Sequence, residues 1–104
     1  MTESVQIYGF GSRFYGKAPA NDVDLLIVHS DVGSASCHFA IYCKRLLSAA
    51  VPDADITMLS QNEEADLRFI TQSCAMLLGH VCSGTVKEDV ERIGLIIADR
   101  TLSD

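Results

Sequence analysis

The chain has 104 residues, 48% of them hydrophobic, and a formal net charge of −6. That length supports one modest apolar core and excludes two, while two prolines and seven glycines exclude a disordered or low-complexity chain. The negative balance excludes bulk electrostatic attraction to nucleic acid or to an anionic membrane, and points to small-molecule or protein partners.

Residues 4–10 (SVQIYGF) alternate as a strand, with Val5, Ile7 and Gly9 on one face and Gln6 and Tyr8 on the other. Gly11 and Ser12 end it. Residues 21–29 predict a second strand that is apolar on both faces beyond its start, Leu26 and Val28 on one and Val23, Leu25 and Ile27 on the other, as in the middle of a covered sheet. After a turn over residues 30–36, Phe39, Cys43, Leu46, Leu47 and Ala50 recur at helical spacing until Pro52 closes the segment. Residues 55–60 (DITMLS) predict a third strand. Ser60 and Glu63 then form a capping-box pattern, and Glu64 with Arg68 supports a helix running to about Ser73.

Residues 75–78 fit either the end of that helix or a brief fourth strand, and the strand is preferred because Gly79 follows at once. Thr85 and Glu88 repeat the capping box ahead of a last helix whose buried face is Val86, Val90, Ile93 and Ile97. Gly94 inside that helix costs about 1 kcal/mol relative to alanine, so close packing is the expected reason for it. Together these elements predict one α/β (α+β) domain over residues 1–104, a small mixed sheet with helices packed against it.

No C-x-x-C pair is present among Cys37, Cys43, Cys74 and Cys82, and their spacing with His38 and His80 matches no usual zinc pattern. They read as reduced thiols packed in a cytoplasmic protein's core. The first residues lack the basic-then-apolar pattern of a secretory signal, and the apolar run from Leu25 to Val28 is far too short to span a membrane.

The chemistry concentrates between Gly9 and Asp31. Residues two apart on a strand project to the same side, with Cα atoms roughly 6.5 to 7 Å apart, so Asp22 and Asp24 aim two carboxylates into one volume. Two anions so close repel unless a cation lies between them. Mg²⁺ suits such a place, because it takes oxygen ligands from one or two carboxylates and completes its shell with phosphate and water. Asp55 would join the pair if the third strand starts at the same level as the second. Asp53 is the competing acid, set aside because it follows Pro52 in the turn. Gly11 lets the main chain approach a ligand closely, Ser12 adds a hydroxyl, and Arg13 and Lys17 add positive charge beside an anion-binding turn. His29 falls on the face opposite the acids and reads as a buried or edge histidine.

Gly11-Ser12 followed by Asp22-Val23-Asp24-Leu25 resembles the signature of the DNA polymerase β superfamily of nucleotidyltransferases, and the small size is most similar to its minimal members, including those paired with HEPN-domain partners in toxin–antitoxin systems. The resemblance implies a nucleotidyltransferase fold in which Asp22, Asp24 and Asp55 are catalytic and hold two Mg²⁺ ions. It also implies that Gly11 and Ser12 contact the β- and γ-phosphates of a nucleoside triphosphate, ATP by default, beside Arg13 as the substrate-binding candidate read from the turn, and that a nucleoside monophosphate passes to an acceptor hydroxyl as pyrophosphate leaves. A protein partner and a homo- or hetero-oligomer are expected, with a noncatalytic interaction module or antitoxin subunit of the same fold as the alternative. Phe14-Tyr15 departs from the more basic sequence usual after the Gly-Ser pair. The acids precede the apolar strand, whereas in haloacid-dehalogenase-like phosphatases and many glycosyltransferases a D-x-D follows one.

Overall fold

The computed structural model describes residues 3–11, 14, 23–31 and 33–101, residues 100 and 101 in their backbone only. Its elements in chain order are β1 (Ser4–Phe10), β2 (Val23–His29), α1 (Ser34–Ala50), β3 (Ala54–Ser60), α2 (Gln61–Leu67), α3 (Phe69–Ser73), β4 (Met76–Cys82) and α4 (Val86–Thr101). The strands form one mixed sheet in the order β3-β2-β1-β4: β1 is antiparallel to both β2 and β4, and β2 is parallel to β3. This is the α/β class expected from the sequence.

The two faces of the sheet differ. On one, Val5, Ile7, Val23, Leu25, Ile27, Ile56 and Val81 meet Ala40, Cys43 and Leu47 of α1 and Val90, Ile93 and Ile97 of α4 in a single core cluster. Each fully buried Leu or Ile there contributes about 1.5–3 kcal/mol by leaving water. The other face carries Asp24, Leu26 and Val28 of β2, and α2 packs across β3 and β2. Leu26 and Val28 are buried as well, so β2 is covered on both sides, as its unbroken apolar run requires.

Several local features depart from the expected pattern, each for a physical reason. The helix expected after residue 36 begins at Ser34, because Asp31 and Ser36 build the turn ahead of it. The Ser36 hydroxyl accepts the Asp31 N–H at 3.2 Å, and the Asp31 carboxylate accepts the Gly33 N–H at 2.7 Å. The single helix expected from Ser60 to Ser73 is two, since Arg68 adopts a left-handed conformation (φ 52°) between α2 and α3. Its capping box does form, with Glu63 N–H donating to Ser60 Oγ and Ser60 N–H donating to Glu63 Oε1. β4 does not stop at Gly79 but runs through it to Cys82. A Cβ at Gly79 would stand 3.2 Å from Ile93 Cγ1, so this glycine lets α4 lie close on the strand. Just before it the register slips, leaving Leu78 as the extra residue of a bulge. At Gly94 the expected close packing is absent, with nothing within 4 Å of a Cβ built there.

The expected second capping box is replaced by a different device. The Thr85 N–H is taken by the Cys82 carbonyl at 3.0 Å, and the side chain that ties down the turn is Asp89, not Glu88. The buried Asp89 carboxylate accepts from the Cys82 N–H at 2.9 Å and the Thr85 hydroxyl at 2.7 Å, and from Arg92 at 2.9 Å. These bonds hold its carboxyl below the ordinary aspartate range, the Cys82 N–H contributing most. A folded-state value below the unfolded one adds stability above the unfolded pKa and loses it as pH falls through the folded value. Asp89→Ala therefore removes the acceptor of three donors, and about 2 kcal/mol should be lost at pH 7. The gap between variant and parent should close as urea melts are taken below pH 4; a pH-independent gap would contradict the role of the charge.

The cysteines divide. Cys43 is core, and burial pushes its thiol up to about 12. Cys74 and Cys82 are exposed, against the expectation that all four pack inside, because the left-handed turn at Cys74 and the outer position of β4 leave them on the surface. No helix among the described residues is long and apolar enough to cross a membrane.

Candidate functional site

Parallel pairing of β2 with β3 sets the level of the acids. Val23 stands opposite Ala54 and Asp24 opposite Asp55. Partners in a parallel ladder share a pleat, and neighbouring strands are about 4.8 Å apart, so both side chains leave the same face at the N-terminal end of the two strands. Asp24 is half-buried and Asp55 exposed. The face is the one opposite α1 and α4.

Asp53 goes elsewhere. Its carbonyl accepts the Val23 N–H at 2.9 Å, which anchors the start of β2, and the residue lines a shallow cleft of about 160 Å³ with Val51, Gly94, Ile97 and Ala98 on the α4 side. The competing acid thus belongs to the opposite side of the sheet.

From the other neighbour of β2 comes the glycine bend. Phe10, the last residue of β1, pairs with Asp24, so the next residue emerges beside that carboxylate. Gly11 has φ +85°, a conformation that favours glycine, and a Cβ placed on it would collide with Asp24 Oδ2 and stand 3.2 Å from Asp24 Cγ. Main chain and carboxylate touch here because there is no side chain between them.

Phe14 fixes the bend from the far side. Its N–H bonds the Gly11 carbonyl at 3.2 Å, and its buried ring lies over Gly9, where a Cβ would meet ring carbons at 2.6 Å. The segment after β1 therefore plugs the core with Phe14 while leaving Gly11 against Asp24. Nothing in the sequence pattern marked Phe14 as core, because a single aromatic in a polar loop carries no period.

Two further groups belong to the acidic face. Phe10 meets Phe69 of α3 edge-on, ring centroids 5.0 Å apart at 84°, which brings α3 to the end of the sheet where Asp24 lies. Tyr8, opposite Leu26, has its phenol pushed above the ordinary range by burial and, secondarily, by the charge of Glu64. It stays a neutral hydrogen-bonding group at physiological pH, and its hydroxyl donates to Gln6 Oε1 at 3.3 Å.

His29 is buried, as expected for its face. Its Nδ1 lies 2.8 Å from the Asp31 carbonyl and 3.0 Å from Ser36 Oγ, so Nδ1 carries the proton and the ring supports the turn into α1.

Of the residues expected to form the site, Gly11, Asp24 and Asp55 converge at one end of the sheet. Ser12, Arg13, Lys17 and Asp22 lie outside the described residues. Among the described residues no group of three or more His, Cys, Asp and Glu side chains is arranged to hold a metal ion. No family model, curated protein or solved structure matches the chain.

Proposed function

We propose that the chain is an Mg²⁺-dependent nucleotidyltransferase that moves a nucleoside monophosphate, AMP from ATP by the resemblance, onto an acceptor hydroxyl. The observation that carries this reading is the Asp24–Asp55 register pair with the Gly11 bend against Asp24. Like charges directly opposite on neighbouring strands cost stability, and a fold with no use for them gains nothing by placing them there.

The donors are carboxylate oxygens at a partly open strand end, which fits a hard cation such as Mg²⁺. Asp24 and Asp55 would hold it, with Asp22 as the third acid expected from the sequence. Bound there, the cation would neutralise the triphosphate and the departing pyrophosphate. In this reading Gly11 admits the phosphates close to the main chain, and Ser12 and Arg13 bind them. Asp55 accepts the proton of the acceptor hydroxyl as that oxygen bonds to the α-phosphorus and the bond to the β-phosphate oxygen breaks. A cytoplasmic setting, where nucleotide and Mg²⁺ are both abundant, goes with this reading.

Incubating the protein with each of four α-labelled nucleoside triphosphates, Mg²⁺ and a cell lysate should transfer label to an acceptor in an EDTA-sensitive way. No transfer from any nucleotide, with no binding of a nonhydrolysable triphosphate at millimolar Mg²⁺, would replace this reading. What would then stand is a noncatalytic module of the same architecture, serving as an antitoxin subunit or docking on an HEPN-type protein.

A further inference from the structure

We infer that two copies of this chain pair about a two-fold axis through the groove between α4 and the outer side of β4. β4 ends the sheet, and no strand among the described residues pairs with its outer edge. Beside that edge lies a groove of about 600 Å³ lined by Leu77, Leu78, Arg92, Leu95, Ile96 and Asp99. Leu95 is 68% exposed and Leu77 49%, an arrangement a chain keeps when something covers it.

The order of residues on α4 identifies the occupant. Arg92, Leu95, Ile96 and Asp99 stand at i, i+3, i+4 and i+7, one helical face with a cation at one end, an anion at the other and two aliphatic side chains between. Turned antiparallel about a point between Leu95 and Ile96, the stripe is its own complement: Arg92 meets Asp99, and Leu95 meets Ile96, on both halves. An isologous interface requires that property of its surface, whereas an unrelated partner would have to bring a matching stripe of its own.

Arg92 can serve both the fold and the dimer. One guanidinium nitrogen bonds Asp89 at 2.9 Å, yet the side chain is 57% exposed and presents further donors outward. Because the chain carries a net charge of −6, two copies repel overall, and the paired Arg92–Asp99 contacts select this one approach.

Sedimentation equilibrium of the full chain, up to about 500 µM, tests the pairing. The parent chain should be a dimer, and Leu95→Glu should raise its dissociation constant by at least about tenfold, as truncating or charging a central anchor does. Arg92→Glu and Asp99→Arg should each weaken self-association by placing like charges across both contacts. Mixed in equal amounts, the two variants should form a heterodimer tighter than either alone, because one contact then pairs Glu with Arg in reversed sense and the other keeps the original Arg92–Asp99 pair. Thermal melts by circular dichroism confirm that each variant is folded. If Arg92→Glu fails that check, Asp99→Arg compared with Asp99→Ala still reads the charge contact, and only the arginine should weaken the dimer further. A parent chain that stays monomeric, a dimer indifferent to Leu95→Glu, or a mixture no tighter than its components overturns the inference.

Discussion

On the proposed reading, Asp24→Asn should lower nucleotidyl transfer by at least about a thousandfold while leaving the unfolding free energy within about 1 kcal/mol of the parent. The replacement keeps the shape of the side chain and removes one of two like charges that face each other across β2 and β3. Lost activity with retained stability is the signature of residues kept for function. The same change in a scaffold would leave both quantities near their starting values. A fall in stability of several kcal/mol would mean that Asp24 serves the fold, and the catalytic reading of the acid pair would fail with it. Activity is measured by label transfer and stability by urea denaturation, so the two outcomes are read separately.

On the proposed reading Gly11→Ala should cost about 2–4 kcal/mol and abolish transfer together with it. Part of the cost is the φ of +85°, which an L-residue occupies at a penalty of roughly 1–2 kcal/mol. The rest is the overlap of the new methyl with Asp24 Oδ2, which turns the carboxylate away from its place beside Asp55. A double-mutant cycle separates the two parts. In an Asp24→Ala background the overlap vanishes and only the backbone penalty remains, so Gly11→Ala should cost less there than in the parent. Equal costs in the two backgrounds would show that the bend and the acid are uncoupled.

Much of this architecture was legible from local pattern. The alternation of Val5 and Ile7 with Gln6 and Tyr8, the doubly apolar run of β2, and the Ser60–Glu63 box each specify their element through neighbours close in sequence. The features that escaped depend on residues distant in sequence. Gly79 reads as a strand terminator until Ile93 is seen resting on it, and Asp89 displaces Glu88 only because the Cys82 N–H reaches it from the end of β4. The break at Arg68 is invisible to periodicity, since arginine carries no left-handed preference; the Glu64 carboxylate, bonded to the Ile70 N–H at 2.9 Å, holds the chain across it. The site divides the same way. The choice of Asp55 over Asp53 followed from where the strand pattern begins, whereas the contact of Gly11 with Asp24 and the burial of Phe14 needed three dimensions.

The connection from β2 through α1 to β3 has a kinetic consequence. Asp24 and Asp55 face one another only once a helix of 17 residues has docked and a parallel ladder has closed, a non-local event that forms slowly compared with a hairpin. A slip of one position during that closure would send Asp55 to the opposite surface of the sheet. The seating of Ala40, Cys43 and Leu47 beneath the strands therefore sets the alignment of the carboxylates. A species in which that helix has peeled away loses the acid pair, so on the proposed reading cation binding there should appear in refolding experiments only after the helix has docked.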